Sequence, residues 1–253
     1  RETVFYCNFA DQRLYRQVLG ENSEPVAVTS AGRMRYSDLV LDQNRGRLLL
    51  VVEDHTGIDD SLLPEIGEMA VEPINYLASV EPGASGDAEA MMLTCGYDFF
   101  AFPRLSHDGK RLAYMAWKHP NMPWDESVLF TAEVGADGSL ANHRKVAGGT
   151  DVSIFQPQWG RDGTLYFVSD ESGFWQLKAI RDFFTMDVID VSTEKFKNCE
   201  FGLPMWVFGQ STYAVVDDEI IAAVNLRGLW KLLRIKVRFE GEDGLGYVCH
   251  QEV

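Results

Sequence analysis

With 253 residues, 46% of them hydrophobic and 12% aromatic, the chain is long enough to bury a core and too apolar to be disordered. Its longest apolar runs, such as Leu48 to Val52 and Ile220 to Val224, are strand-sized and far short of the roughly 18 residues a membrane helix needs. The 23 Lys plus Arg against 38 Asp plus Glu give a formal charge of −15, which opposes nucleic acid and anionic membrane, so neither is expected as a partner.

In chain order, Thr3 to Cys7 and Arg13 to Leu19 are β-rich runs joined by the N-F-A-D-Q turn. They resemble Thr164 to Val168 and Trp175 to Ile180, and are read as the inner halves of a repeat whose first strand is missing. The start, R-E-T-V-F-Y, has no initiator Met and no leader pattern, which predicts a chain cut from something longer. Met34 to Leu39 and Arg47 to Glu53 form a hairpin turned by Asp42 to Gly46, followed by strands at Ile74 to Val80 and Ala90 to Cys95.

The next unit opens at Phe99. Its Asp108-Gly109 pair is a tight hairpin turn, because Gly accepts positive φ and Asp tolerates it. Strands are expected at Arg111 to Trp117, Val128 to Val134 and His143 to Ala147, with an Asp137-Gly138 turn between the last two. A fourth unit runs from Ile154 through Trp159, turns at Asp162-Gly163, and continues as Thr164 to Ser169 and Phe174 to Ile180. A fifth is read from Phe201 (F-G-L-P-M-W), with further strands at Glu219 to Asn225 and Leu229 to Ile235.

Two alignments tie these units together. Phe100-x-x-Pro103-x-Leu105, Ile154-x-x-Pro157-x-Trp159 and Phe201-x-x-Pro204-x-Trp206 share one pattern, with Met34-x-x-Ser37-x-Leu39 as a weaker copy. Asp162 to Leu177 and Asp217 to Leu232 keep Asp, Gly173/Gly228, Trp175/Trp230 and the final Leu in step without gaps. Repeated units of about four short strands predict an all-β fold, an incomplete β-propeller of about four to five antiparallel blades. The units are approximately 1–20, 34–95, 99–148, 154–195 and 201–236, with a divergent tail at 237–253, all in one domain. Trp159, Trp175, Trp206 and Trp230 fall at repeat positions and are expected in the core between blades.

In such a blade the first and third turns lie on one face, and the second turn and the links between blades on the other. The long second turns, Lys118 to Glu126 and the acidic Thr56 to Glu72 (Asp59, Asp60, Glu65, Glu68), mark the face on which a working surface is expected. Within the first of them Trp117, His119, Asn121 and Trp124 are the candidate contact residues.

No catalytic chemistry is legible. Gly83-Ala84-Ser85-Gly86-Asp87 and Gly209-Gln210-Ser211-Thr212-Tyr213 each lack the final Gly of a nucleophile elbow and read as turns. Ser106-His107-Asp108 holds three triad residue types, but hairpin neighbours cannot set base against nucleophile and acid against base. Glu53, Asp54, His55, Asp59 and Asp60 follow no calcium-loop pattern, and there is no phosphate loop or dinucleotide fingerprint. No metal and no cofactor are expected. Cys7, Cys95, Cys199 and Cys249 lie far apart without zinc spacing and read as reduced thiols, which points to the cytoplasm.

These stretches carry a resemblance. Arg104 to Glu126, with its H-P-N-M-P-W-D run, and Gln156 to Leu177 resemble the N-terminal propeller of the prolyl oligopeptidase family of serine peptidases, in the acylaminoacyl-peptidase and dipeptidyl-peptidase-like branch. Asn8 to Gln17, Arg35 to Leu39 and Phe201 to Gly209 are similar to the same branch, so that the resemblance covers roughly Thr3 to Leu232. It implies an enzyme in which a propeller restricts an α/β-hydrolase domain to short peptides. That family's Ser, Asp and His belong to the C-terminal domain, and no position here matches their motifs. The implied partners are the missing blades, the hydrolase domain and the parent's peptide substrate; the chain alone is expected to be catalytically silent. A truncated gene product, a paralogue and an excised fragment all fit, and the rival reading is a TolB-like propeller serving as a protein interaction module.

Overall fold

Leu48 to Val52, Leu112 to Trp117 and Leu165 to Ser169 are near-continuous apolar runs because both of their faces are covered. Each is the second strand of a four-stranded sheet and is buried along its length. The structure, a computed structural model, describes residues 2–20, 23–57, 72–191, 194–217, 219–239 and 246–252.

The first sheet has three strands, β1 (Thr3–Cys7), β2 (Leu14–Val18) and β3 (Val26–Ala27). The second is β4 (Met34–Asp42), β5 (Arg47–Asp54), β6 (Ile74–Val80) and β7 (Met91–Thr94). The third is β8 (Phe99–Leu105), β9 (Arg111–Trp117), β10 (Val128–Val134) and β11 (Leu140–Gly148). The fourth is β12 (Ile154–Trp159), β13 (Leu165–Ser169), β14 (Gln176–Ile180) and β15 (Val188–Asp190). The fifth is β16 (Tyr213–Val216), β17 (Glu219–Leu226), β18 (Leu229–Phe239) and β19 (Gly246–Glu252). Each sheet is a meander in which strand order follows chain order. The fold is all-β, and five such antiparallel sheets are those of an incomplete propeller. Among the described residues no helix is long and apolar enough to cross a membrane.

The chain divides into two compact units, Arg1–Pro103 with Asp137–Ser139, and Arg104–Ala136 with Leu140–Val253. The first has a core of Leu14, Val28, Tyr36, Leu50, Val52, Tyr76 and Ala78. The second buries Leu112, Met115, Leu129, Phe155, Phe167, Leu177 and Ile220.

A kink recurs in the first strands of three sheets. Asp38 (φ 50°), Phe102 (φ 51°) and Gln156 (φ 49°) occupy the left-handed region. The ladders slip at the kink, between Ser37 and Val40 in β4 and between Phe155 and Gln158 in β12, which makes each a β-bulge. Asp38 and Gln156 also use their side chains to hold the next sheet. Asp38 Oδ2 accepts the Phe102 N–H at 2.5 Å. Gln156 Oε1 accepts the Thr212 N–H at 2.7 Å, its Nε2 donates to the Tyr213 carbonyl at 2.6 Å, and the Tyr213 hydroxyl donates back to the Gln156 carbonyl at 2.6 Å. Changing Gln156 to Leu would leave the buried Thr212 N–H without its acceptor and the Tyr213 carbonyl with the Ser211 hydroxyl in place of two donors. The expected loss is about 1–3 kcal/mol, read as a lower urea midpoint at unchanged m-value.

The kinks correct two sequence alignments. Leu39, not Ser37, stands where Pro103 and Pro157 stand, so the weak copy is properly Tyr36-x-x-Leu39-x-Leu41. Phe201 to Trp206 is not a strand, and the fifth sheet begins at Tyr213. Phe201 is buried and its carbonyl accepts the Thr212 hydroxyl, while Gly202 lies against Phe155, Val168 and Trp175, where a Cβ would sit 2.9 Å from Val168. The segment packs as a connector, which places Trp206 at 70% exposure. Trp230 is 50% exposed, so of the four tryptophans expected in the core only Trp159 is fully buried and Trp175 half-buried.

Smaller differences follow from length. β3 and β15 are strands of two and three residues, too short to show alternation in the sequence. Asp162 to Leu177 and Asp217 to Leu232 stay in step along their strands, but their turns differ. Leu226 pairs with Leu229 across a two-residue turn in which Arg227 and Gly228 both have positive φ, whereas the other hairpin stops pairing at Ser169 and Gln176.

Candidate functional site

The connection from β9 to β10 is held by its own short hydrogen bonds. Asp125 Oδ2 accepts the Met122 N–H at 2.9 Å, the Asp125 N–H donates to the Met122 carbonyl at 2.9 Å, and Asn121 Nδ2 donates to Glu126 Oε2 at 3.2 Å. Its foot is Ser127, fully buried, whose N–H donates to the Val152 carbonyl at 3.1 Å and whose Oγ accepts the Ile154 N–H at 2.8 Å. A loop so anchored can present side chains without collapsing onto the sheet.

The structure separates the four candidate residues. Trp117 closes β9 and is buried; His119 is exposed; Asn121 is half-buried and engaged with Glu126; Trp124 is half-buried and faces outward onto another aromatic ring. That ring is Trp206, with centroids 4.3 Å apart and planes at 42°. Trp206 sits in the connector before β16, which is closed by Gln210: its Oε1 accepts the Trp206 N–H at 3.0 Å and its Nε2 donates to the Pro204 carbonyl at 3.2 Å. Met122 on one loop and Val207 and Phe208 on the other are also exposed, at 47%, 64% and 43%.

The outcome is a pair of packed indoles carried by two loops that also expose Met122, Val207 and Phe208, an apolar ledge. Such groups give large, adaptable contact area, and an exposed patch of this kind is suited to packing against another surface or an apolar ligand. The sequence pointed to half of it. Trp206, Val207 and Phe208 were missed because Trp206 fits the repeat pattern of a core tryptophan. The acidic loop expected opposite the Asp-Gly turns, with Asp59, Asp60, Glu65 and Glu68, lies outside the described residues.

Ser106 Oγ donates to Asp108 Oδ1 at 2.7 Å and accepts the Arg111 N–H at 2.9 Å. This hydroxyl, with the Lys110 N–H, holds the Asp108 carboxyl below the usual carboxylate value. The serine is thus bound to the aspartate of its own turn and not to an imidazole. Ser211 Oγ donates to the Tyr213 carbonyl at 3.0 Å. His55 Nε2 lies 3.2 Å from Glu53 Oε2, and among the described residues no three His, Cys, Asp or Glu side chains are gathered to hold a metal. Cys7, Cys95 and Cys199 are free thiols, and burial pushes Cys7 up to about 11.

One histidine is set to report on pH. His143 stands exposed on β11 with its Nδ1 2.9 Å from the hydroxyl of buried Tyr114, and partial desolvation on that side lowers its pKa below the usual value, an effect that solvent on its other side keeps small. The unfolded chain therefore takes up the proton first. The stability from keeping His143 neutral is complete above about pH 6.5 and is lost as pH falls below it. Thermal melts between about pH 8 and 5 should show a steeper acid loss for the native chain than for a His143→Gln variant.

No protein-family model and no curated protein sequence matches the chain. Among solved structures it is similar to puromycin hydrolase, with 28% identity and a TM-score of 0.80 over 97% of this chain and 36% of that one. It is also similar to a puromycin-hydrolysing peptidase from Mycobacterium tuberculosis, with 23% identity and a TM-score of 0.76 over 99% of this chain and 42% of that one. A putative TolB from Agrobacterium tumefaciens shares the fold at 13% identity, with a TM-score of 0.56 over 95% of this chain and 73% of that one. The chain thus spans between a third and a half of the length of the first two. Matching one part of such peptidases over nearly its own full length, and carrying the motifs quoted above, it resembles the N-terminal propeller portion of the prolyl oligopeptidase family.

Proposed function

We propose that this chain is the propeller of a prolyl oligopeptidase family serine peptidase of the acylaminoacyl-peptidase and dipeptidyl-peptidase-like branch, catalytically silent by itself. It gates short peptides toward a hydrolase domain that supplies the nucleophile, in the cytoplasm. The observation that carries this reading is the match to 36% of puromycin hydrolase over 97% of this chain. It agrees with the engaged state of Ser106 and Ser211, neither of which is placed as an activated nucleophile. The ledge around Trp124 and Trp206, with the neighbouring Asn121 and His119, is the surface we assign to contact with the hydrolase domain or with peptide.

A fluorophosphonate probe tests it. The 253-residue chain should stay unlabelled while a protein extending through a hydrolase domain is labelled; stoichiometric labelling of the chain alone would sink the proposal. The second reading, a non-enzymatic interaction module, is favoured by the share of the TolB chain covered, 73%. A natural reading frame without any hydrolase downstream would select it.

A further inference from the structure

On the second unit, away from the aromatic ledge, the connection from β14 to β15 folds over one face of the third sheet and encloses an open groove of about 400 Å³. Three guanidinium groups line it, Arg111 at the start of β9, Arg144 on β11 and Arg181 at the end of β14, together with Phe183 and Phe184. In a chain with a net charge of −15 the convergence of three arginines is contrary to the overall field.

Each of the two carboxylates that also line the groove spends one oxygen on a hydrogen bond within the protein. Glu133 Oε2 accepts from Asn142 Nδ2 at 2.8 Å, and Asp182 Oδ1 accepts the Phe184 N–H at 2.7 Å, closing the turn on itself. Glu133 stands opposite Arg111 in the β9–β10 register, yet among the described residues the two make no ion pair. Arg111 instead lies over the Phe183 ring, 4.7 Å from its centroid, and that ring is 5.4 Å from Trp159. Stacking uses the face of a guanidinium and leaves its N–H donors in the plane. Among the described residues none of them donates to a protein acceptor. Arg144 spends one donor, on the Phe183 carbonyl at 3.3 Å. Phe184, 91% exposed, stands at the same groove with a free ring face.

We propose that this groove binds an oxyanion, carboxylate or phosphate, carried on a flat aromatic small molecule. The oxyanion lies between Arg111 and Arg144, where planar forks match its paired oxygens, and the ring rests on Phe184. The groove's volume lies within the range of small-ligand sites, and packing on Phe183 orients Arg111 before a ligand arrives.

The test is a titration of the 253-residue chain with phenyl phosphate, benzoate, inorganic phosphate and phenol at low salt, followed by calorimetry or amide chemical shifts. An aromatic oxyanion should bind saturably and about tenfold or more tighter than inorganic phosphate, with phenol not binding; phenyl phosphate against benzoate identifies the oxyanion. Arg111→Gln with Arg144→Gln should weaken binding by more than about tenfold, and Phe184→Ala should bring the aromatic ligands down to the affinity of inorganic phosphate. Because Arg111 packs on Phe183, Arg144→Gln alone and the charge-keeping Arg144→Lys serve where the double variant does not fold. No saturable binding, or binding that survives loss of the arginines, overturns the proposal; an unchanged affinity in Phe184→Ala overturns its aromatic half. None of these outcomes depends on whether a hydrolase domain exists.

Discussion

Replacing Asp42 with Asn should cost about 3–5 kcal/mol, the usual penalty for removing one partner of a buried ion pair. Asp42 is fully buried at the end of β4. Its Oδ2 lies 3.1 Å from Arg45 Nη1 and 3.0 Å from Arg47 Nε, and both arginine side chains are themselves largely buried, at 15% and 13% exposure. Arg47 is already short of acceptors, since among the described residues its buried Nη2 has no partner. Neutralising the carboxylate therefore leaves a guanidinium charge in a place with little water to screen it. Gly138, at φ +85°, sits against the same guanidinium so closely that a Cβ would lie 2.4 Å from Arg47 Nη1. Urea denaturation of Asp42→Asn should show the full loss. A drop of less than about 1 kcal/mol would mean that the site is wetter than its burial indicates.

Replacing Gly148 with Ala should cost about 3–4 kcal/mol. Gly148 ends β11 at φ +81°, a conformation costing an L-residue about 1–2 kcal/mol. The added Cβ would also fall 2.1 Å from the Ser127 carbonyl oxygen and 2.9 Å from Ile154 Cγ1. A backbone oxygen cannot swing aside as a side chain can. Gly149 supplies the control: its φ is +119°, but its Cβ would meet the end of Lys145, at 2.3 Å from Nζ, which is free to move. Gly149→Ala should therefore show conformational strain without the clash, and urea midpoints of the two variants separate the two causes. Ser127 is also the foot of the loop bearing Trp124, so Gly148→Ala should change indole fluorescence before global unfolding, and Gly149→Ala should not.

The parts of this fold that were legible in the sequence are those fixed by local chemistry. Asp108-Gly109 and Asp162-Gly163 mark their turns, β6, β9 and β10 lie where apolar-rich, β-forming runs place them, and β12 lies where the repeated proline pattern does. What misled was pattern without its partner. Pro204 matches Pro103 and Pro157, but theirs are each followed by an Asp-Gly turn and Pro204 is not, so its segment has no hairpin to enter. On that pattern Trp206 belongs to the core, yet it lies on the surface against Trp124. A contact between residues so distant in the chain leaves no periodic trace, and neither does the arginine groove, whose members come from β9, β11 and the end of β14.

The recurring kink also fixes which segments can change length. Where the ladder slips at Gln156, Pro157 lacks an N–H at a point where pairing is already interrupted, so the proline gives up no bond. From that point to Asp162-Gly163 the side chains alternate between faces, and Trp159, with its Nε1–H donating to the Arg104 carbonyl at 2.8 Å, occupies the inward one. Inserting a single residue between Pro157 and Trp159 would turn that indole to solvent. The stretch from kink to turn behaves as a ruler of fixed length, while the loop between β9 and β10, anchored by its foot at Ser127, is where residues can be added or removed without disturbing the strands.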